Sequence, residues 1–176
     1  MRKLNITELN RISVEEFQQA DKLPLIVVLD NVRSLNNIGS VFRTADAFRV
    51  EAIYLCGITA VPPHADIHKT ALGAEFSMQW RYYNDTCEAV SALKEAGYTV
   101  YAVEQVEKSL SLEKLSPERG KKYAITLGNE VKGVQQQVID LCDGAIEIPQ
   151  FGTKHSLNVS VAAGIVIWDF FKQLRG

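Results

Sequence analysis

Leu23-Pro24-Leu25-Ile26-Val27-Val28-Leu29 is a continuous apolar run. A strand with one wet face alternates polar and apolar residues, whereas an unbroken run suits a parallel strand covered on both faces. Working outward from it, the chain alternates. Short apolar runs predict strands near 25–29, 52–56, 78–82, 98–103, 122–127 and 145–148. Between them, patterns of helical period predict helices near 37–47, 85–96, 134–141 and 156–173. Strands alternating with helices imply βαβ units, hence an α/β fold with a mostly parallel sheet and helices on both faces. Residues 1–22 are polar and mixed in charge, and form an N-terminal extension to a single domain over 23–176. Within the extension, Ser13, Glu16, Phe17 and Ala20 predict a short capped helix. The segment 104–121 is charged, carries Pro117 and predicts one helical turn near 110–115. Pro62-Pro63 is the clearest break and is too short to separate domains.

With 176 residues the chain is long enough for one domain with a real core. Its 47% hydrophobic and 23% charged residues are ordinary for a globular protein. The formal net charge is −2, so any attraction to nucleic acid needs a local basic patch. Cys56, Cys87 and Cys142 are scattered and odd in number, which argues against a zinc knuckle or a disulfide framework and fits a reducing compartment. No apolar signal core opens the chain, and no run of about 18 apolar residues exists that would span a membrane. The expected location is the cytoplasm.

Three segments at predicted strand-to-helix corners carry chemistry-bearing residues, and such corners are where open α/β sheets bind ligands. After the first strand come Asp30-Asn31-Val32-Arg33 and then Asn36-Asn37-Ile38-Gly39-Ser40-Val41-Phe42-Arg43-Thr44. Asn36 or Asn37 suits a helix cap, and Gly39 allows close approach to the backbone. Arg43 then falls in the second turn, roughly 9 Å along the axis from Asn37. The second segment is Leu127-Gly128-Asn129-Glu130-Val131-Lys132-Gly133, where Gly128 permits a tight turn beside a ligand and Glu130 sits near a helix start. In the third, Ile148 to Ser160, Ser156 reads as an N-cap, and Asn158 is an amide needing partners in the first turn of a very apolar helix. That helix, 156–173, is apolar on every side, so one side packs on the sheet and the other is expected at a homodimer interface, the alternative being a helix wholly inside the monomer core.

Together the segments resemble the three motifs of the SpoU/TrmH branch of the SPOUT superfamily, which are RNA ribose 2′-O-methyltransferases. Asn37, Gly39, Arg43 and Thr44 match N-x-G-x-x-x-R-T. Gly128, Glu130 and Gly133 match G-x-E-x-x-G, and Ile148 to Ser160 match I-P-M-x-G-x-x-x-S-L-N-V-S, with Gln150 in place of the usual Met. The resemblance spans residues 25–172. It implies a C-terminal, trefoil-type α/β knot, and S-adenosylmethionine bound by Val103, Leu127, Gly128, Asn129, Ile148, Gln150, Ser156 and Leu157. Such pockets draw residues from both subunits. It also implies a catalytic set of Arg43, Asn37, Glu130, Ser156 and Asn158. Arg43 stands beside the target 2′-hydroxyl, Asn37 orients Arg43 or the ribose, and Glu130 holds the arginine or nearby backbone. Ser156 and Asn158 shape the cofactor and acceptor pocket. A guanidinium stays protonated, so Arg43 stabilises charge while a phosphate oxygen or water takes the proton.

Arg33, Arg49, Lys69, Lys132 and Lys154, with Arg43, are the expected RNA-binding rim, since all fall in or beside these segments or in the 64–75 stretch that relatives use near substrate. The first motif and the Pro62-Pro63 loop look most like the transfer RNA guanosine branch, with ribosomal RNA as the second choice. His64, Asp66 and His68 share a face only if extended, and no cysteine pair supports them, so no metal site is expected. Adjacent His155 and Ser156 do not make a hydrolase pair without a GxSxG elbow, and no GxxxxGK[ST] loop supports an NTPase. The rival reading is a catalytically inactive knotted protein that only binds RNA.

Overall fold

The computed structural model describes residues 1–175; Gly176, the end of the expected domain, lies outside them. Seven strands form one sheet: β1 Leu23–Asp30, β2 Val50–Cys56, β3 Trp80–Tyr83, β4 Tyr98–Val103, β5 Leu110–Ser111, β6 Lys122–Leu127 and β7 Gly144–Glu147. Their order is β3-β2-β1-β6-β4-β7-β5, and every neighbouring pair is parallel. β1 sits between β2 and β6, which explains its unbroken apolar run. Leu25, Val27 and Leu29 face one core, while Ile26 and Val28 face the other.

Helices cover both faces, as βαβ crossovers require. On the first face lie α1 Val14–Gln19, α2 Leu35–Ala47, α3 Ala65–Ala71, α4 Ala74–Ser77 and α7 Val159–Leu174. On the second lie α5 Thr86–Glu95 and α6 Gln136–Leu141. The capping box at Ser13 and Glu16 is present at the start of α1. The expected turn near 110–115 is the short strand β5 followed by a 3-10 turn over Leu112–Lys114.

Several local expectations need correction. Helices α3 and α4 are additions to the expected set. Both are short, and α3 buries only Ile67 and Ala71. Neither Asn36 nor Asn37 caps α2. Ser34 does, accepting from Asn37 N at 3.2 Å. The last helix begins at Val159, with Asn158 as its cap, so Ser156 lies in the preceding loop. Nor is α7 buried all round: Val161, Ile165 and Trp168 form an exposed stripe, Trp168 with 51% of its surface open. The opposite side packs on the sheet through Ala163, Val166, Ile167 and Phe170.

Gly39 does allow a close approach, and the approaching group is α3. A Cβ on Gly39 would lie 2.2 Å from Ile67 O and 2.1 Å from Thr70 Oγ1. Thr70 Oγ1 also donates to Asn36 O at 2.9 Å, which fixes α3 against the first turns of α2. Among the described residues no helix is long and apolar enough to cross a membrane.

Candidate active site

The C-terminal ends of β4, β6 and β7 open into a cleft of about 700 Å³, within the usual range for small-molecule sites. Val103, Leu127, Ile146 and Ile148 supply an apolar floor from the strand ends, and Leu157, Val159 and Ala162 add to it from the start of α7. Glu104, Gln150, His155 and Ser156 supply polar groups. All eight expected cofactor residues line this one space: Val103, Leu127, Gly128, Asn129, Ile148, Gln150, Ser156 and Leu157.

One wall is the loop from Gly128 to Gln135. Asn129 N donates to Gly133 O at 3.1 Å and Gly133 N returns to Asn129 O at 2.9 Å, so the loop closes on itself. Asn129 Oδ1 accepts from Val131 N and Lys132 N inside it. Gly133 has φ +69°, a left-handed conformation that suits glycine. Of the two reasons expected for Gly128, a tight turn and close approach to a ligand, the structure shows the first. A Cβ there would lie 2.1 Å from Gly133 C and Val134 N, so the neighbour that demands glycine is the chain's own backbone. Glu104 Oε2 accepts from Val134 N at 3.1 Å and supports the loop from β4.

Glu130 is not at the start of α6, which begins six residues later. Its carboxylate reaches the N-terminus of α2 instead. Oε2 accepts from Arg33 N at 3.0 Å, and Oε1 from Ser34 N at 2.9 Å and Asn37 Nδ2 at 3.2 Å. An anion is favourable at this end of a helix. Burial alone would raise the Glu130 carboxyl; the two backbone N–H groups and the Asn37 amide outweigh it and hold it below the usual glutamate range. The contact is therefore intact at neutral pH and is lost only as pH falls through that depressed value.

Asn37 Oδ1 in turn accepts from Asn158 Nδ2 at 3.1 Å. Asn158 is exposed, not buried, and its amide is satisfied by α7 and Asn37: Oδ1 accepts from Ser160 N at 2.9 Å and from Val161 N at 3.3 Å. Asn37, Glu130 and Asn158 thus link the three segments through side chains 93 and 121 positions apart.

Arg43 is not in this cluster. It is exposed on α2, eight residues past the helix start, with no hydrogen bond or ion pair to any described residue, and it does not line the cleft. Neither Asn37 nor Glu130 hydrogen-bonds its guanidinium; of the two roles expected for Glu130, the structure shows the hold on nearby backbone. Among the expected RNA contacts, Arg33, Lys132 and Lys154 are exposed on the loops around the cleft. Lys69 lies on α3 and pairs with Asp66 at 2.7 Å. Arg49 does not belong to the rim. Leu23 N donates to Arg49 O at 2.8 Å, at the start of β1, roughly 23 Å of strand away from its cleft end.

His64, Asp66 and His68 do not converge either, because α3 is helical: His64 Nδ1 accepts from Asp66 N, and His68 contacts Glu75. Burial pushes the Cys56 and Cys142 thiols up to about 12, which leaves no nucleophilic thiolate at either. Sequence reasoning missed Glu104, and it missed Gln105, whose Nε2 donates to His155 O at 2.7 Å. Neither falls in a recognisable motif.

The model of the SpoU rRNA Methylase family matches residues 24–168. The chain is 34% identical over 167 residues to a tRNA (guanosine(18)-2′-O)-methyltransferase of Thermus thermophilus, covering 95% of this chain and 84% of that protein. It is 31% identical over 171 residues to the 23S rRNA (guanosine-2′-O-)-methyltransferase RlmB of Nitrosomonas europaea, covering 96% of this chain but 65% of that protein. Among solved structures, the AdoMet-bound rRNA methyltransferase from Sinorhizobium meliloti superposes with a TM-score of 0.80 at 26% identity, over 90% of this chain and 60% of that one.

Proposed function

Because this chain belongs to the SpoU rRNA Methylase family and is by that membership an S-adenosylmethionine-dependent RNA 2′-O-methyltransferase, we propose that its acceptor is a guanosine ribose in transfer RNA. The observation that carries the reading is the convergence of three motif loops, tied by Asn37, Glu130 and Asn158, beside one cleft at the strand ends. The preference for transfer RNA rests on the Thermus enzyme, which this chain matches over most of both lengths, whereas it spans about two thirds of the ribosomal relative. Mapping 2′-O-methylated nucleosides in transfer and ribosomal RNA, from cells with and without the gene, tests this. One methylguanosine should vanish from transfer RNA alone, and loss confined to ribosomal RNA contradicts the assignment.

The cleft fits the cofactor in its chemistry. Its floor is apolar enough for an adenine ring, and the 128–135 loop offers backbone groups and Asn129 around it. When bound, S-adenosylmethionine supplies a methyl group on a sulfonium, which leaves as a neutral thioether. The protein's part is alignment, exclusion of water and help for the developing alkoxide. Asn37, Glu130 and Asn158 fix the mouth of the cleft. Arg43 clamps the ribose and its phosphate and stabilises the alkoxide, and a phosphate oxygen or water takes the proton, since a guanidinium does not.

Arg43 serves the partner's cleft in this reading. It lies outside its own cleft, and α2 packs beside α7, whose Val161, Ile165 and Trp168 stripe has no cover within the subunit. A hollow lined by Leu112, Leu115, Pro149, Phe151 and Ile165 extends that surface, and Phe151 is 95% exposed. Two copies meeting on α7 cover it. Val161→Glu tests this cleanly, because an acid near a helix N-terminus is tolerated by the fold. Light scattering should read a dimer for the wild type and a folded monomer for the variant; a monomeric wild type contradicts the reading.

The α/β knot belongs to the same reading, and the strand connections support it. β7 lies between β4 and β5, and the 104–109 segment joins those two strands across its end. The chain leaving β7 returns to the first face of the sheet as α7, beside that segment, where Gln105 holds His155. In this reading the returning chain threads through the 104–109 loop. The cytoplasm is the compartment this reading assigns to the protein.

A further inference from the structure

Asp30, the last residue of β1, is fully buried, and no described cation pairs with it. Removing a carboxyl group from water is costly unless hydrogen-bond partners take the water's place. Here neutral donors do so. Oδ1 accepts from Thr86 Oγ1 at 2.7 Å, Gln135 Nε2 at 2.8 Å and Asn31 Nδ2 at 3.2 Å, and Oδ2 accepts from Gln135 N at 2.9 Å. Two of the four donors belong to Gln135, the residue before α6. Gly133 and Val134 just before it line the cleft, as does Gln136 just after. At the other end of the same loop, Asn129 Nδ2 donates to Asn31 O at 2.8 Å. Both ends of the cleft loop are therefore fastened to residues 30 and 31, and Thr86 ties the same carboxylate to α5.

We propose that Asp30 is a positioning residue that sets the 128–135 loop for cofactor binding through Gln135. The proposal rests on the reading of the cleft as the S-adenosylmethionine site. Asp30 does not line the cleft, so its action passes through the loop. A plain core role needs no charge, whereas two bonds to one glutamine, main chain and side chain, fix both its place and its rotamer.

Asp30→Asn keeps the shape but turns an amide donor toward Asn31 Nδ2, which already donates, and toward Gln135, whose amide must turn over to accept and then loses its bond from Gln137 Nε2. In the double variant Asp30→Asn with Gln135→Glu, the polarity reverses. The carboxylate now at position 135 accepts from the amide now at position 30. That amide's oxygen still accepts the main-chain N–H of position 135, and the Thr86 hydroxyl rotates to accept. Calorimetry with S-adenosylmethionine should read a roughly 10- to 100-fold weaker affinity for Asp30→Asn, the range expected for losing a hydrogen bond to a charged group. Turnover at saturating cofactor should change far less than KM. Hydrogen exchange of the cofactor-free protein should quicken over 129–136. The double variant should recover most of the affinity, since coupled contacts are non-additive. Wild-type affinity in Asp30→Asn overturns the proposal, as does exchange that quickens throughout the chain with no rescue by Gln135→Glu. A wild type that does not bind S-adenosylmethionine, with exchange still quickened locally and rescued, overturns the reading of the cleft and leaves the clamp standing.

Discussion

Arg43→Ala lowers methyl transfer by about 10²–10³-fold, the scale for deleting one donor to a developing oxyanion. Cofactor affinity should stay close to wild type, because Arg43 does not line the cleft. The exposed guanidinium has no described partner to lose, so thermal stability should not change either. Arg43→Lys separates a clamp from a simple charge. Lysine keeps the positive charge and loses the planar fork that grips phosphate and ribose together. Little rescue is expected. Wild-type turnover in the alanine variant removes Arg43 from the mechanism.

Gly128→Val should abolish S-adenosylmethionine binding measured by calorimetry in metal-free buffer. The added Cβ would stand 2.1 Å from Gly133 C and Val134 N, far inside contact distance, so the loop wall must move. Unchanged affinity in a folded variant contradicts the placement of the cofactor. Combined with Arg43→Ala, it also tests the shared site. Each variant alone is inactive, but a mixed dimer holds one intact cleft facing one intact Arg43. Mixing equal amounts and allowing exchange should restore about a quarter of wild-type turnover by random pairing. No recovery in demonstrated mixed dimers places Arg43 and the cleft in one subunit.

Six of the seven strands were legible as short, largely apolar runs, whereas the two-residue β5 read as part of a helical turn; β1 is buried on both faces, as its unbroken composition demands. The residues lining the cleft were legible through the motif resemblance, since the loops that carry them follow directly on strand ends. What failed was the pairing of side chains. Asn37 looks like a helix cap because local sequence cannot show that Glu130 and Asn158, remote along the chain, recruit its amide. Glu130 reads as a helix-start acid for the same reason: its helix is α2, not the one that follows it. Arg49 is close to the first motif in sequence, but α2 runs the depth of the sheet and delivers it to the far edge. Asp30 ends an apolar run with nothing to mark it as buried, because its donors Thr86 and Gln135 lie 56 and 105 positions on. The α7 stripe shows the opposite case. Composition alone announced an apolar circumference, and only packing decided which side the sheet takes.

Incubation of the purified wild type with methyl-labelled S-adenosylmethionine and unmodified transfer RNA, followed by nucleoside mass spectrometry, tests the central claim most directly. The label should appear on a guanosine 2′-oxygen with wild-type protein and be nearly absent with Arg43→Ala. Transfer RNA that binds the protein and remains unlabelled, with cofactor present and unconsumed, contradicts the claim and identifies a knotted RNA-binding protein without catalysis.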